Sequence, residues 1–88
     1  MMDSRIQKSI LGDTPTEFTD EDSSLVAGAV YDAEQQVLTV ELKAGAVTKR
    51  YAFDGVPAQT YVDFYQAESR GSFFNRFIRP MFGGRYVS

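Results

Sequence analysis

Two alternating stretches that meet at one glycine constrain this chain more than anything else in it. Residues 37–43 set Leu38, Val40 and Leu42 on one face and Thr39, Glu41 and Lys43 on the other, the two-residue period of a β-strand. Residues 47–54 repeat the pattern, with Val47, Lys49, Tyr51 and Phe53 on one face and Thr48, Arg50, Ala52 and Asp54 opposite. The link between them, Ala44-Gly45-Ala46, has hairpin length, and Gly45 is free to take positive φ. Upstream, residues 25–31 are apolar on both faces apart from Gly28 and reach the first alternating stretch through a five-residue loop, 32–36. Consecutive strands on short loops predict a three-stranded antiparallel meander, with one side buried and the other wet.

Helical periodicity replaces the two-residue period after Val56-Pro57. Pro57 is suited to the first helical position, and it pushes Val56 out of the α region. Ala58, Tyr61, Val62 and Tyr65 follow the i, i+3, i+4, i+7 spacing of a core-facing stripe, with Phe64 at its edge. Gly71 fits a left-handed position ending this helix, and Ser72 fits the N-cap of a second. In the second, Phe73, Phe74, Phe77, Ile78 and Met81 gather on one side, while Ser72, Asn75, Arg76 and Arg79 gather on the other. Pro80 ends it near Arg79. Gly83-Gly84 supplies a turn, and Arg85-Tyr86-Val87 has the character of a segment that pairs with a sheet edge. The expected architecture is a two-layer α+β domain of order β-β-β-α-α, with both helices on one face of the sheet.

The remaining segment, residues 1–22, has no sustained period and carries Asp20-Glu21-Asp22. It reads as a flexible acidic leader preceding a domain at 23–88, dispensable for folding. The opposite outcome would need Ile6, Ile10 and Leu11 to dock on the core.

Eighty-eight residues amount to one domain. There is no cysteine and no histidine, which excludes disulfides and thiolate zinc sites and removes the commonest general base. No nucleotide-binding glycine pattern or nucleophile elbow is present, and the acidic run is too short for a calcium loop. The expectation is a non-enzymatic protein with no cofactor and no metal site. Without a membrane-length apolar run or a signal-peptide core, a cytoplasmic location and no membrane partner are expected.

The net charge of −3 hides a polarity. Residues 1–44 carry three basic groups against nine acidic ones, and residues 45–88 carry six against three, with no acid beyond Glu68. Glu68 falls within the apolar arc of the first helix, where an unpaired carboxylate is costly, so an arginine partner is expected, Arg76 before Arg70 or Arg79.

Ser24, Tyr31-Asp32, the strand 38–42, Tyr51-Ala52-Phe53, Val56-Pro57, Ala67-Glu68-Ser69 and above all Gly71-Ser72-Phe73-Phe74-Asn75-Arg76-Phe77-Ile78-Arg79 together resemble the KTSC domain. That family is named for its occurrence at the C-terminus of some lysyl-tRNA synthetases, and the resemblance extends from Ser23 to about Tyr86. It differs where the family has Tyr-x-Tyr, since Phe53 lacks the second hydroxyl, and where Phe77 replaces a frequent histidine. The resemblance implies the α+β fold and a role in RNA binding.

Two function classes follow. Lys49, Arg50, Arg70, Arg76 and Arg79 could form a phosphate-contacting surface, and Tyr51 or Phe53, if exposed, could stack on bases of RNA or another nucleic acid. Both aromatics share a face with Val47, which equally fits a place in the core. The rival class is a protein-binding or regulatory module docking its basic helical face on an acidic partner, with Met81, Phe82 and Tyr86 as an apolar anchor. Oligomeric state is left open.

Overall fold

The computed structural model describes residues 11–88. Its sheet has five antiparallel strands in chain order: β1 (Glu17–Thr19), β2 (Val26–Asp32), β3 (Val37–Ala44), β4 (Val47–Phe53) and β5 (Gly84–Tyr86). The alternating stretches form the central hairpin, pairing Leu38 with Phe53, Val40 with Tyr51 and Leu42 with Lys49. Gly45 turns it at φ 65°. In the β2–β3 turn, Glu34 and Gln35 donate their N–H groups to the Asp32 carboxylate, and Gln36 takes φ 56°. A register shift between Val26 and Gly28 is the bulge that brings both Val26 and Ala29 into the core. It accounts for the two-sided apolar look of this strand in sequence.

The meander of three strands is therefore extended at both edges. At the C-terminal edge, β5 pairs Tyr86 with Tyr51 and Gly84 with Phe53. A Cβ at Gly84 would lie 2.4 Å from the Phe53 ring, so glycine allows this approach. At the other edge, β1 comes from the segment read as a flexible leader, and its pairing of Thr19 with Gly28 corrects that reading for residues 17–19. Three-residue strands are too short to show a period. What orders β1 is tertiary. The Phe18 carbonyl lies where a Cβ on Gly28 would stand, and the Phe18 ring meets Phe64 and Tyr65 edge-on at 5.6 and 5.5 Å. Leu11 also packs against the core, while Ile6 and Ile10 lie outside the described residues.

Two helical segments cover one face of the sheet. α1 (Ala58–Gln66) has Pro57 as its N-cap and Ala67 as an extended C-cap. It thus ends four residues before Gly71. Ser69, rather than Ser72, caps α2 (Arg70–Phe73), accepting the Ser72 N–H. α2 runs directly into a π-helical turn, Phe74–Ile78, whose wider ring is closed by the Arg79 N–H on the Phe74 carbonyl at 2.9 Å. Phe74 and Ile78 are fully buried, but Phe77 and Met81 of the same expected stripe are 49% and 69% exposed. Phe64, expected at the stripe's edge, is fully buried.

The core joins Val26, Tyr31, Leu38, Val40 and Phe53 of the sheet region to Val56, Tyr61, Phe64, Phe74 and Ile78. Tyr31 and Tyr61 stack with centroids 4.7 Å apart, and both hydroxyls are satisfied, donating to the carbonyls of Val56 and Pro15 respectively. Burial pushes the Tyr61 phenol up to about 12, aided by Tyr65 and Glu17 and opposed by Arg70. No helix among the described residues is long and apolar enough to cross a membrane.

The Asp20–Arg70 pair fastens β1 to the helices. Arg70 reaches the Asp20 carboxylate at 3.0 Å, the two side chains being 21% and 10% exposed. It also donates twice to the Tyr65 carbonyl, and its guanidinium lies 4.3 Å from the Phe18 centroid. Asp20 further accepts the N–H groups of Asp22 and Ser23. Burial raises the Asp20 carboxyl, but the Arg70 hydrogen bond, the two backbone donors and the Arg70 charge together hold it below its ordinary 3.8.

Three expectations follow. Phe18→Ala should cost about 2 kcal/mol, a fall of about 10 °C in Tm, and deletion of residues 1–22 should cost more, as calorimetry would register. Because the folded Asp20 carboxyl titrates below its unfolded value, its contribution is complete above about pH 4 and is lost as pH falls through the folded value. Asp20→Asn should therefore lower stability at pH 7 and flatten the acid limb of denaturant midpoints plotted against pH. Tyr61 has the opposite sign. Its contribution is complete below about pH 10 and is lost as pH rises toward about 12, so Tyr61→Phe should flatten the alkaline limb.

Candidate functional site

The fold disperses the five cations expected to form one surface. Arg50 lies on the sheet face away from the helices, opposite Glu41 in register, and pairs with it at 3.0 Å. Arg70 is turned inward on Asp20. Both are thus engaged within the fold, which corrects their assignment to a shared basic face. Arg85 is likewise paired, with Asp54 at 3.1 Å, and Lys43 donates to the Ser23 carbonyl. Among the described residues Lys49, Arg76 and Arg79 have no carboxylate partner. Glu68 also departs from expectation. It is exposed and no arginine pairs with it among the described residues, because α1 stops before it and takes it out of the apolar arc.

The two aromatics of β4 part company. Phe53 is 4% exposed, meets Phe74 edge-on at 5.4 Å and belongs to the core, so its stacking role on the surface is withdrawn. Tyr51 is half-buried. It sits on the helix-side face, where the helices leave the hairpin end of β4 uncovered and residues 47–50 are all exposed. Its ring meets Tyr86 of β5 edge-on at 5.5 Å.

At this uncovered end, Leu42, Tyr51, Phe53, Phe74, Arg79 and Gly84 line a groove of about 290 Å³. Phe53 and Phe74 are fully or almost fully buried there. The Arg79 guanidinium lies 5.1 Å from the Phe74 centroid, where cation and ring attract. Lys49, opposite Leu42, stands on the same face two residues from Tyr51, about 7 Å along the strand. Arg76 lies over Phe77 at 5.7 Å and lines none of this groove. The structure thus brings Tyr51, Phe53 and Arg79 of the seven expected residues into the groove, with Lys49 on the same strand face two residues from Tyr51. It adds Tyr86, whose place beside Tyr51 depends on β5 and had no local signal beyond the strand-like tail.

A second cleft, about 490 Å³, opens where α2 begins and is lined by Ser24, Glu68, Ser69, Gly71, Ser72 and Asn75 together with the Asp20–Arg70 pair. These include much of the motif that carries the family resemblance. Some of the cleft's polar groups serve the fold: Ser69 caps α2, and the hydroxyl of Ser23, also in the lining, accepts the N–H groups of Leu25 and Val26. No group of three acidic, histidine or cysteine side chains among the described residues is arranged to hold a metal.

Comparison with known proteins places the fold. Residues 22–82 match the KTSC domain. A protein of Tsukamurella paurometabola is 34% identical over 61 residues, spanning 69% of this chain and 87% of its own. An uncharacterised protein of Stutzerimonas stutzeri is 36% identical over 58 residues, 66% of this chain and 78% of its own. Among solved structures, the crystal structure of a KTSC domain protein from Yersinia pestis superposes with a TM-score of 0.71 at 26% identity, covering 82% of this chain and 96% of that one. By sequence and by fold, the chain belongs to the KTSC domain family.

Proposed function

We propose that this KTSC domain is a non-enzymatic module that binds single-stranded nucleic acid, RNA before DNA, weakly and with little regard to sequence. The observation that carries the reading is the groove at the uncovered end of β4, lined by Tyr51 and by Arg79, a cation without a carboxylate partner, with Lys49, likewise without one, two residues from Tyr51 on the same strand face. Single strands are held by cations that follow the phosphates and by side-chain rings on which bases stack. Arg79 can donate two parallel hydrogen bonds to one phosphate, and Tyr86 extends the aromatic surface beside Tyr51. Arg76, exposed one helical turn away, adds positive potential without touching the groove. Only two or three phosphate contacts fit this arrangement, and an acidic chain of pI about 4.7 opposes polyanions at long range. Both facts argue for weak affinity.

A protein partner is the second reading. It is favoured by the exposed apolar side chains Phe77 and Met81, which line one cleft, and by an acidic partner's complementarity to Arg76, which lies over Phe77.

Titration of labelled single-stranded RNA separates the two. With two or three phosphate contacts the log–log salt slope should be about −2. Lys49→Glu combined with Arg79→Glu should abolish binding, while Arg50→Gln, on the opposite face, should leave it within about twofold because it removes no phosphate contact. Silence at low salt, or equal loss in the Arg50 variant, would defeat the nucleic-acid reading and direct the search to a protein.

A further inference from the structure

We infer that the groove between β4, β5 and the π-helical turn admits one unstacked nucleobase, so that the module recognises unpaired nucleotides and not the backbone alone. This rests on the single-strand reading above and specifies its ligand. Three features of the groove lead to it. Its volume, about 290 Å³, is at the small end of ligand sites and suits one planar ring system. Its floor is apolar and set back from the surface: Leu42, Phe53 and Phe74 are 8%, 4% and 0% exposed. Its lining includes two groups able to stack, the Tyr51 ring on the strand side and the Arg79 guanidinium, 5.1 Å from the Phe74 centroid, on the helix side.

A phosphate site alone would need none of these features. Phosphates are bound at the rim by N–H donors, and an apolar floor gives them nothing. A base within a duplex cannot reach a recessed floor, because its faces are covered by its neighbours, whereas an unpaired base can be turned out and stacked on aromatic or guanidinium planes. In the proposed pose the base enters between Tyr51 and Arg79. The outer N–H edge of Arg79 then meets the phosphate of the same nucleotide, and Lys49 meets the next along the strand. The ring-to-ring spacing of Tyr51 and Tyr86 offers a flanking base a second, shallower contact.

The test compares labelled eight-nucleotide oligouridine with the same backbone carrying abasic positions and with inorganic polyphosphate, all on the full chain. Abasic RNA and polyphosphate should bind about tenfold more weakly than oligouridine, the loss expected for one stacked base. Uridine 5′-monophosphate should shift the amide resonances of Leu42, Tyr51 and Gly84 and the Arg79 side-chain resonance. Tyr51→Leu, which keeps apolar bulk in the sheet, should erase the difference between oligouridine and abasic RNA. Arg79→Lys, which keeps the charge and loses the plane, should reduce it, with circular dichroism confirming that each variant folds. Equal binding by intact and abasic RNA, or resonance shifts confined to Lys49 and Arg76, would overturn the base pocket and leave a phosphate-only reading standing. Absence of binding by every probe would defeat both.

Discussion

The guanidinium of Arg70 is the contact on which the rest of the structure depends. One side chain reaches the carboxylate after β1, the last turn of α1 and the ring of Phe18. A cation this far out of water is tolerated only when its donors are used, and a removed partner would leave an uncompensated charge in its place. The Asp20 side is equally complete, since two backbone N–H groups share its carboxylate with Arg70. The pair therefore fixes where α2 starts. Ser69 caps the helix one residue earlier, and the following turn carries Phe74 and Ile78 into the core.

That placement decides which surface remains for binding. Arg70 is spent on the fold, and Arg50 and Arg85 are held by Glu41 and Asp54. Positive charge free of carboxylates survives, among the described residues, at Lys49, Arg76 and Arg79 and at Lys43, whose ammonium is held by backbone carbonyls. The π-helical turn contributes here as well. An extra residue in one turn changes the phase of everything after it. Phe74 and Ile78 face the sheet, and Arg79 comes to lie over Phe74 at the groove's edge. The helices are too short to cover the whole sheet, so the hairpin end of β4 is bare. A groove forms where the cover stops.

The polar cleft at the start of α2 is larger than the groove, and several of its polar groups serve the fold. Its hydroxyls and carboxylates cap a helix, close a turn and hold Arg70. The motif Gly71-Ser72-Phe73-Phe74-Asn75-Arg76-Phe77-Ile78-Arg79 can be understood in these terms. Its first residues start a helix against the 20–25 loop, where Gly71 approaches Leu25 and Ser23 at 3.5 Å. Phe74 and Ile78 fill the core, and its last arginine lines the groove. What looks in sequence like a basic string is thus architectural at Gly71, Phe74 and Ile78.

By itself the sequence determined the central hairpin, the antiparallel order of the middle strands and the presence of two helical segments. Each is written in a local period of 2 or 3.6 residues, and the turn at Gly45 needs no distant partner. The same local signals marked Tyr51 and Arg79 as candidate contacts. What only the tertiary structure decided is everything that depends on pairing across the chain. β1 and β5 are three residues each, too short for a period, and are ordered by Phe18 in its aromatic pocket and by Tyr86 against Tyr51. Phe53 and Tyr51 share a face and a period, and only the extent of helical cover separates a core ring from a surface one. Charge is subject to the same limit. A count of arginines shows how many cations there are, but which carboxylate stands beside each is decided only once the chain has folded, and neither Asp20 beside Arg70 nor Glu41 beside Arg50 is a neighbour in sequence.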